Sequence, residues 1–551
     1  MTLPEATRKA IKAARLTGDT DAGLAILKAC LQDVGVQSDH DTLYWQGLLD
    51  LQDTDAAERF FNLRGHTSTR HAIAYAKFLW AVGDFVKAGQ VMPFDAAFGP
   101  KARELARQIG AANRTLTPLG IRHLSDLPAY IFRSARHKIS LQSGSGSLLY
   151  TGQLGPGGAE KQFARMAINL KNSGAEIGPI RVAVKHTDPK RNGDFHLAQL
   201  KEHGTRPDVL DDMHEDHRVP QPFAELLKFL HPNLASSISK LYGILRLKKP
   251  SSVYLWQDGG VLVGALAAAL AGVPRIVTSF RGLPPKDRPK LFRPEYEPLY
   301  RAMADDPSVS LTTNNAATAD AYASWLGLGQ NAVRVIRNAI PKPSPEPAPA
   351  DWAKWQHIAA KTPECTKTLL GVFRCDPVKQ PELWFRSVCR AAEQNPSLRA
   401  IHVGDIPEPD LIDRIVQASP AAPRIFFVGV SASVGFWMSQ SDLMLHLAKQ
   451  EGSPNSVVEA QLSSLPVIAT PAGGTVEAID NGHTGVLFPS TAPSLDDVVS
   501  AIFAILADRK KASGLTAAAY RQAQHLHNPS KVLRDTLDVL RPKPYREAAL
   551  S

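Results

Sequence analysis

Residues 451–489 read EGSPNSVVEAQLSSLPVIATPAGGTVEAIDNGHTGVLFP, and the inference of the fold starts from them. Ser453 can cap a helix in which Pro454 takes the first position, where a missing N–H costs no hydrogen bond. The apolar segment LPVIAT that follows this helix predicts a buried strand, which ends in a turn with the paired glycines Gly473 and Gly474. A helix that leads into a buried strand predicts a parallel sheet covered by helices.

The same alternation of short apolar strands and helices extends from this stretch toward both ends of the chain. Residues 341–525 contain the strand-type segments KTLLGVFR, LRAIHVGD, RIFFVG and SDLMLHLA, and residues 146–340 contain LLYTGQL, PIRVAVKH, SSVYLWQDG, PRIVTSF and VSLTTNN. The proline-rich linker IPKPSPEPAPADW, residues 340–352, separates the two sets. The sequence therefore predicts an α/β protein with two doubly wound, Rossmann-like domains that face a cleft, where ligands bind.

The two ends of the chain have a different character. Residues 1–115 carry apolar residues at helical spacing without strand-type runs, which predicts an all-α module. Two loosely similar helix pairs leave a degenerate tetratricopeptide-like repeat and an ordinary helical bundle as equal alternatives. Residues 116–145, which run into the breaker cluster Ser-Gly-Ser-Gly-Ser at residues 143–147, are interpreted as a connector, and residues 526–551 as a C-terminal helix or tail.

Composition and charge narrow the class of protein. The 551 residues are too many for one hydrophobic core, and a formal net charge of +10 favours anionic partners. No nucleic-acid-binding motif accompanies this charge, so nucleic acid is not expected as a partner. The longest apolar run, Val261–Val273, is too short to span a bilayer, and the start of the chain does not read as a signal peptide. We expect a cytoplasmic protein and leave peripheral contact with the inner face of the cytoplasmic membrane open.

The helix predicted within residues 451–489 has the features of an anion site. Asn455, Ser456 and Val457 present backbone N–H groups at its N-terminus, and such a terminus binds phosphate. Glu451 lies just before the helix and Glu459 about one and a half turns inside it, so two carboxylates flank the phosphate position. Carboxylates accept from hydroxyls, and a nucleotide sugar offers hydroxyls on both sides of its diphosphate. A nucleotide sugar is therefore the expected ligand.

The spacing E-x7-E of Glu451 and Glu459, together with LPVIATPAGGTVEAI downstream, resembles glycosyltransferase family 4, the group 1 glycosyltransferases. The resemblance implies a GT-B fold and a retaining transferase that uses a nucleotide sugar, with a UDP-sugar as the expected donor and no metal. It implies that the first glutamate contacts the donor sugar and acts in catalysis. The other residues that it assigns to donor binding are Gly452, Ser453, Pro454, Asn455, Ser456, Val457, Glu459, Gly473 and Gly474.

Two further loops resemble the same family. Arg374 and Lys379 follow the first strand of the second domain with the spacing R-x4-K, which resembles the pair that clamps the donor diphosphate. Two cations there also stabilise the charge that develops on a leaving diphosphate, so both are candidate catalytic residues. Gly157 and Gly158, in LGPGGAE, open the first βα turn of the first domain, where backbone N–H groups can approach a donor or acceptor. A solvated loop and a plain tight turn are the alternatives.

The acceptor side departs from the family pattern. Many members place a histidine after the strand that corresponds to PRIVTSF, whereas this chain has Phe280-Arg281-Gly282. Arg281 is interpreted as a catalytic residue that takes over a polar role near the donor. Asp258 ends the preceding strand and is expected to face the cleft. Asn338 resembles the family's asparagine at the end of the first domain, with a turn-forming role as the alternative.

The subtype and the partners follow from the same resemblance. The sequence is similar to bacterial capsular polysaccharide and exopolysaccharide enzymes, the Vi polysaccharide glycosyltransferase among them, which implies a glycan or lipid-linked acceptor. Residues 226–250 have an apolar face and a basic end that suit contact with anionic lipid, and a core helix pair is the alternative. The helical N-terminal module is a candidate docking site for a protein partner. Two rival functions remain: a GT-B nucleotide-sugar epimerase and a non-catalytic scaffold of a polysaccharide synthesis complex.

Overall fold

The amino-terminal part of the protein is built from helices. The computed structural model describes residues 2–32, 39–64, 68–93, 99–174, 177–213, 217–288 and 291–541. The first helices are α1 (Glu5–Thr17), α2 (Thr20–Gln32), α3 (His40–Leu51), α4 (Thr54–Arg64), α5 (Thr69–Val82), α6 (Phe85–Val91) and α7 (Pro100–Leu116). Successive helices pack on one another around an aromatic core that includes Trp45, Tyr75 and Phe78. The predicted helical module is confirmed.

The first α/β domain follows this module. Its elements are α8 (Leu127–Lys138), β1 (Ser147–Thr151), α9 (Gly158–Asn172), β2 (Ile180–Val184), α10 (Leu197–Glu202), β3 (Asp208–Val209), α11 (Phe223–Leu227), α12 (Pro232–Lys248), β4 (Ser252–Trp256), α13 (Gln257–Ala271), β5 (Arg275–Ser279), α14 (Tyr296–Ala304), β6 (Val309–Thr313), α15 (Ala316–Leu326) and β7 (Val333–Val335). In the described residues the strands form one parallel sheet in the order β3-β2-β1-β4-β5-β6-β7. Strands β1, β4 and β5 are fully buried, as expected for a sheet covered on both faces.

The second α/β domain repeats this architecture. Its elements are α16 (Pro349–Lys361), β8 (Lys367–Val372), α17 (Pro381–Gln394), β9 (Leu398–Val403), α18 (Pro409–Gln417), β10 (Ile425–Gly429), α19 (Val434–Ser439), β11 (Leu443–His446), α20 (Asn455–Leu462), β12 (Val467–Ala469), α21 (Thr475–Ala478), β13 (Val486–Leu487), α22 (Leu495–Ala507) and α23 (Arg509–Leu526). Its strands are parallel in the order β10-β9-β8-β11-β12-β13. Two doubly wound parallel sheets confirm the predicted fold class.

The segment interpreted as a connector, residues 116–145, contains a helix of the first domain. Leu127, Ile131 and Ala135 recur every fourth residue, so α8 presents one apolar face and buries it against α13 and α14. The residues between α8 and β1, where the breaker cluster lies, form an irregular connection. The predicted linker is also shorter than expected, because α16 begins at Pro349.

The last described helix, α24 (Pro529–Leu540), crosses back from the second domain to the first. Val532, Val539 and Leu540 are buried in the same core as α9 and β4. Arg275 Nε of β5 donates to Val539 O at 2.8 Å. The chain therefore connects the two α/β domains twice, through the linker and through α24.

The helices that were considered for membrane contact lie in the core. Leu234, Ile238 and Leu241 of α12 are buried beside α13, so the apolar face within residues 226–250 is not available to lipid. The run Val261–Val273 lies mostly in α13, which is buried along almost its whole length. Among the described residues, no helix combines the length and apolarity needed to cross a bilayer.

The docking of α24 can be tested with a cavity-forming substitution. We expect Leu540→Ala to lower the free energy of unfolding by about 2–4 kcal/mol, because it leaves a void between α24 and the first domain. Urea unfolding followed by tryptophan fluorescence measures this change. Arg534→Ala, an exposed position on the same helix, should stay within about 0.5 kcal/mol of the unmodified protein. Equal losses in the two variants would contradict the docking.

Candidate functional site

Helix α20 carries the first half of the candidate site and begins one residue later than predicted. Pro454 precedes the helix with non-helical φ −78° and ψ 79°, and no side chain caps this end. Ser453 instead accepts from Asn455 N through its carbonyl oxygen at 2.9 Å. The backbone N–H groups of Ser456 and Val457 have no acceptor among the described residues. The helix end thus offers two free donors, although the predicted serine cap is wrong.

Glu451 lies in the loop between β11 and α20, where two basic side chains surround it. Its carboxylate forms an ion pair with Lys379 and lies 3.2 Å from His446 Nε2. Burial opposes ionisation of this carboxyl group, but Lys379 and His446 outweigh it and lower its pKa to about 2. Glu451 is therefore an anion at every pH at which the protein would be assayed.

Glu459 lies one turn inside α20 and is buried. Its Oε1 accepts from Lys161 Nζ at 2.7 Å. Lys161 belongs to α9 of the first domain, so this ion pair crosses the cleft. The two signature carboxylates are each held by a lysine, Glu451 from within its own domain and Glu459 from the opposite one.

Arg374 and Lys379 lie on the loop after β8, as predicted, but their side chains point to different partners. Lys379 reaches Glu451, whereas Arg374 Nη2 lies 2.9 Å from Asp376 Oδ1, with its side chain 59% exposed. The structure brings Lys379 into the candidate site and leaves Arg374 at its edge. A rotation of the exposed Arg374 side chain would be needed before both cations could contact one ligand.

The paired glycines of the turn after β12 allow a close contact with the Glu451 loop. Gly473 has φ +47°, and a Cβ on it would lie 1.8 Å from Glu451 O. Gly474 N donates to Gly452 O at 3.0 Å. Glycine is therefore needed at residue 473 for two reasons, its left-handed backbone and the absence of space. The turn fixes the backbone that carries Glu451.

The first domain faces α20 with the N-terminal end of α9. Gly157 precedes α9 and Gly158 is its first residue, as the glycine turn predicted. Asn455 Nδ2 lies 3.4 Å from Gly158 O, at the outer limit of a hydrogen bond. Together with the pair of Lys161 and Glu459, this contact places the glycine turn opposite the signature helix.

Arg281 is placed at the junction of the two domains. Its guanidinium stacks 4.2 Å over the Trp256 ring and donates to Ser279 Oγ at 3.1 Å and to Asn338 Oδ1. Burial lowers its pKa to about 10, against the opposing influence of nearby Tyr254 and Glu160. Its Nε is buried without an acceptor among the described residues.

Asn338 links Arg281 to the signature helix. Its Oδ1 accepts from Arg281, and its Nδ2 donates to Asn455 Oδ1 at 2.5 Å. Its carbonyl oxygen lies 3.0 Å from His527 Nδ1. Asn338 is therefore more than a turn residue, because it joins the first domain, the N-terminus of α20 and the end of α23.

Asp258 does not face the cleft as a free carboxylate. It lies in the first turn of α13, past the end of β4, and is buried. Its Oδ2 accepts from Arg288 Nη2 at 2.5 Å, and its Oδ1 accepts from Tyr322 OH at 2.8 Å and Tyr300 OH at 3.1 Å. Both oxygens are taken by protein donors, so Asp258 organises the first domain, although it lines the cavity at the carboxyl ends of the strands as expected.

Sequence reasoning missed several residues that the structure places in the site. Lys161 and His446 contact the signature glutamates, and Asn315 Nδ2 donates to Gly452 O at 2.8 Å. Glu477, which belongs to the segment LPVIATPAGGTVEAI that carries the resemblance and was therefore not missed, accepts from Arg337 Nη1 at 2.9 Å and forms a further contact between the domains. His446 ends the strand directly before Glu451, so its position next to the motif was a signal. No local pattern marks the others.

Two sequence comparisons bear on this arrangement. Residues 355–522 match the family model of the glycosyl transferases group 1. These residues form a group 1 glycosyltransferase domain. The chain is 35% identical over 376 residues to the Vi polysaccharide biosynthesis protein VipC/TviE of Salmonella typhi, with 65% of each chain covered. It is 24% identical over 285 residues to the D-inositol 3-phosphate glycosyltransferase of Rhodococcus opacus, with 49% of this chain and 62% of that protein covered. The chain thus spans less than two thirds of the length of these relatives.

Solved structures share the fold of both α/β domains. Anabaena Alr3699/HepE, crystallised in complex with UDP and glucose, superposes with a TM-score of 0.56 at 20% identity over 72% of this chain and 99% of that one. Sucrose-phosphate synthase from Thermosynechococcus elongatus gives a TM-score of 0.55 at 18% identity over 71% of this chain and 97% of that one. The predicted GT-B fold and the resemblance to the group 1 family are confirmed.

The glycine turn of the group 1 domain can be tested with a matched pair of substitutions. Gly473 and Gly482 both have positive φ, but only Gly473 lacks space for a Cβ. We expect Gly482→Ala to cost about 1 kcal/mol of unfolding free energy from backbone strain alone. Gly473→Ala should cost roughly 2–4 kcal/mol, because it also pushes against Glu451 O. Urea titration measures both changes, and similar values would show that the contact with Glu451 is not tight.

Proposed function

We propose that this protein is a retaining glycosyltransferase that moves a sugar from a UDP-sugar to a glycan or lipid-linked glycan acceptor in bacterial polysaccharide synthesis. The observation that carries the proposal is the placement of Glu451 and Glu459 on either side of the α20 N-terminus, with Lys379 beside them. The group 1 match and the polysaccharide biosynthesis relative support a transferase of this kind. The Anabaena protein, whose structure contains UDP and glucose, supports the choice of donor.

The donor diphosphate would lie at the N-terminus of α20. The free N–H groups of Ser456 and Val457 and the ammonium of Lys379 supply donors and positive charge for it. Arg374 would turn from Asp376 toward the second phosphate, since its side chain is largely exposed. These groups together would meet the charge of a nucleoside diphosphate.

The two carboxylates would bind the hydroxyl groups at either end of the donor. Glu459 would accept from the ribose hydroxyls, which take the place that Lys161 Nζ occupies at 2.7 Å. Glu451 would accept from hydroxyls of the transferred sugar. Because its pKa is about 2, Glu451 acts as a fixed hydrogen-bond acceptor and electrostatic partner, and not as a proton donor.

Transfer breaks the bond between the anomeric carbon and the diphosphate and forms a bond from that carbon to the acceptor oxygen. The leaving diphosphate gains negative charge, which Lys379 and the helix N-terminus stabilise more strongly than they stabilise the intact donor. The acceptor approaches on the face that the diphosphate leaves and passes its hydroxyl proton to the departing phosphate oxygen. The configuration of the anomeric carbon is therefore retained without a covalent intermediate on the protein.

The proposal extends to the partners and to the place of the reaction. Nucleotide sugars and a lipid-linked glycan meet at the inner face of the cytoplasmic membrane, so we propose a cytoplasmic protein with peripheral membrane contact. The helical module α1–α7 would recruit a protein partner of the synthesis machinery. Packed helices expose long surfaces suited to such docking, and none of the described residues of this module belongs to the candidate site.

The donor site can be tested by nucleotide binding. We expect UDP or a UDP-sugar to raise the midpoint temperature of thermal unfolding more than a GDP-sugar or an ADP-sugar does. Glu459→Gln should weaken UDP binding by about 10–100-fold, because charged hydrogen bonds to the ribose are lost. Isothermal titration calorimetry measures the affinity, with Glu104→Gln in the helical module as a control of equal charge change. Unchanged UDP affinity in Glu459→Gln, or no response to any nucleotide sugar, would refute the proposed site.

The cations of the site lead to a prediction about metal ions. Because Lys379, Arg374 and the α20 N-terminus would meet the diphosphate charge, sugar transfer should proceed without a divalent cation. We expect the rate of donor-dependent transfer to be the same with EDTA as with added Mg²⁺ or Mn²⁺. A rate that falls to background in EDTA and returns with one of these ions would overturn this part of the proposal.

A further inference from the structure

A cavity of about 620 Å³ opens beside the candidate donor site. It lies at the carboxyl ends of β1, β2, β4 and β5, the edge at which parallel sheets bind ligands. Arg281 forms part of its wall and is joined through Asn338 to Asn455 at the start of α20. A molecule in this cavity would therefore lie next to a donor bound at the signature helix.

Positive charge dominates the wall of this cavity. The cationic side chains that line it are Lys185, Arg191, Arg281, Arg288 and Arg293. The carboxylates that line it are Glu160 and Asp258. His186 and His231 add two groups that become positive on protonation. The excess of fixed cations over carboxylates makes an anion the favoured occupant.

Two of these cations are already neutralised by protein carboxylates. Arg288 Nη2 lies 2.5 Å from Asp258 Oδ2, and Arg191 Nε lies 3.4 Å from Asp188 Oδ2. The remaining wall carboxylate, Glu160, accepts from Gln257 Nε2 at 3.0 Å. The charge available to a ligand therefore comes from the other cations.

Lys185 and Arg293 are the cations without a partner. In the part of the chain that the structure describes, neither side chain forms an ion pair or a hydrogen bond, and both are half-buried. Lys185 directly follows β2, whereas Arg293 lies in the segment that leads from β5 to α14, so they reach the cavity from separate parts of the sheet. A half-buried cation without an anion loses hydration that a bound oxyanion would restore.

We propose that this cavity binds an oxyanion carried by the sugar acceptor, and that Lys185 and Arg293 select an anionic acceptor over a neutral one. The oxyanion is a carboxylate of an acidic glycan or a phosphate of a lipid carrier, since both present the same chemistry to lysine and arginine. Naming the ligand as the acceptor rests on the proposed transferase function. The binding of the anion itself does not depend on transfer.

Calorimetry with paired probes tests this inference on the full chain, with UDP at saturating concentration so that the donor site is filled. One pair is trigalacturonic acid and its carboxyl-reduced counterpart, and the other is geranyl diphosphate and geraniol. At least one anionic probe should bind ten times more tightly than its neutral counterpart, and the pair that shows the preference identifies the source of the oxyanion. Equal affinities within both pairs would overturn the proposal.

Substitutions of Lys185 and Arg293 test whether these two cations cause the preference for the anionic probe. Lys185→Gln and Arg293→Gln should each weaken binding of the preferred anionic probe by about tenfold, about 1.4 kcal/mol. Lys185→Arg, which keeps the charge, should retain the affinity. Lys190→Gln is the matched control, because Lys190 is exposed on the same connection but lies outside the cavity wall. An equal loss in Lys190→Gln, or no loss in the other two glutamine variants, would overturn the assignment.

The UDP affinity of the same preparations separates the two proposals. Normal UDP binding without a preference for anionic probes would refute the oxyanion site and leave the donor site intact. An anion preference that depends on Lys185, in a protein that does not bind UDP, would support the oxyanion site and count against the transferase function.

Discussion

The carbonyl oxygen of Gly452 is the point at which the donor loop, its glycine turn and the first domain meet. It accepts from Gly474 N at 3.0 Å and from Asn315 Nδ2 at 2.8 Å, so one atom joins the two α/β domains. A Cβ on Gly452 would lie only 2.7 Å from Arg281 O. The loop that carries Glu451 is therefore held from both sides by contacts that leave no room for a side chain, and the geometry of the site depends on this packing.

The loop packing around Gly452 places Glu451 beside Lys379, and the two ion pairs of the signature glutamates hold the carboxylates where a donor would bind. Lys379 lies beside Glu451 and would remain close when a diphosphate arrives, because a phosphate gains from the same ammonium. Lys161 pairs with Glu459 across the cleft and would have to give way to a ribose. Glu459 is buried and would lose its cation if this ion pair broke without replacement, so donor binding and the relative position of the two domains are coupled through this contact.

The sequence predicts those parts of the structure that local patterns specify. Alternating apolar strands and helices indicate two doubly wound domains, and the spacing of Glu451 and Glu459 indicates one end of a helix. Other features depend on residues that are distant in sequence. Asp258 is bound by groups from α14, α15 and the segment before α14, and Lys161 reaches its partner from the other domain. The start of α20 after Pro454 also escaped prediction, because a serine before a proline matches a capping pattern that the chain does not use here.

The arginine at the position where many family members have a histidine changes what that position can do. A histidine can exchange a proton near neutral pH, whereas Arg281, with a pKa of about 10, stays charged there even in its buried place over Trp256. It can therefore act only as a fixed positive charge and hydrogen-bond donor. Among the described residues its Nε lacks an acceptor and no carboxylate contacts its guanidinium, so a ligand oxygen would supply both the acceptor and the negative charge. Neither Arg281 nor the ionised Glu451 exchanges a proton at neutral pH, which agrees with a proposed transfer in which the acceptor proton passes to the leaving phosphate.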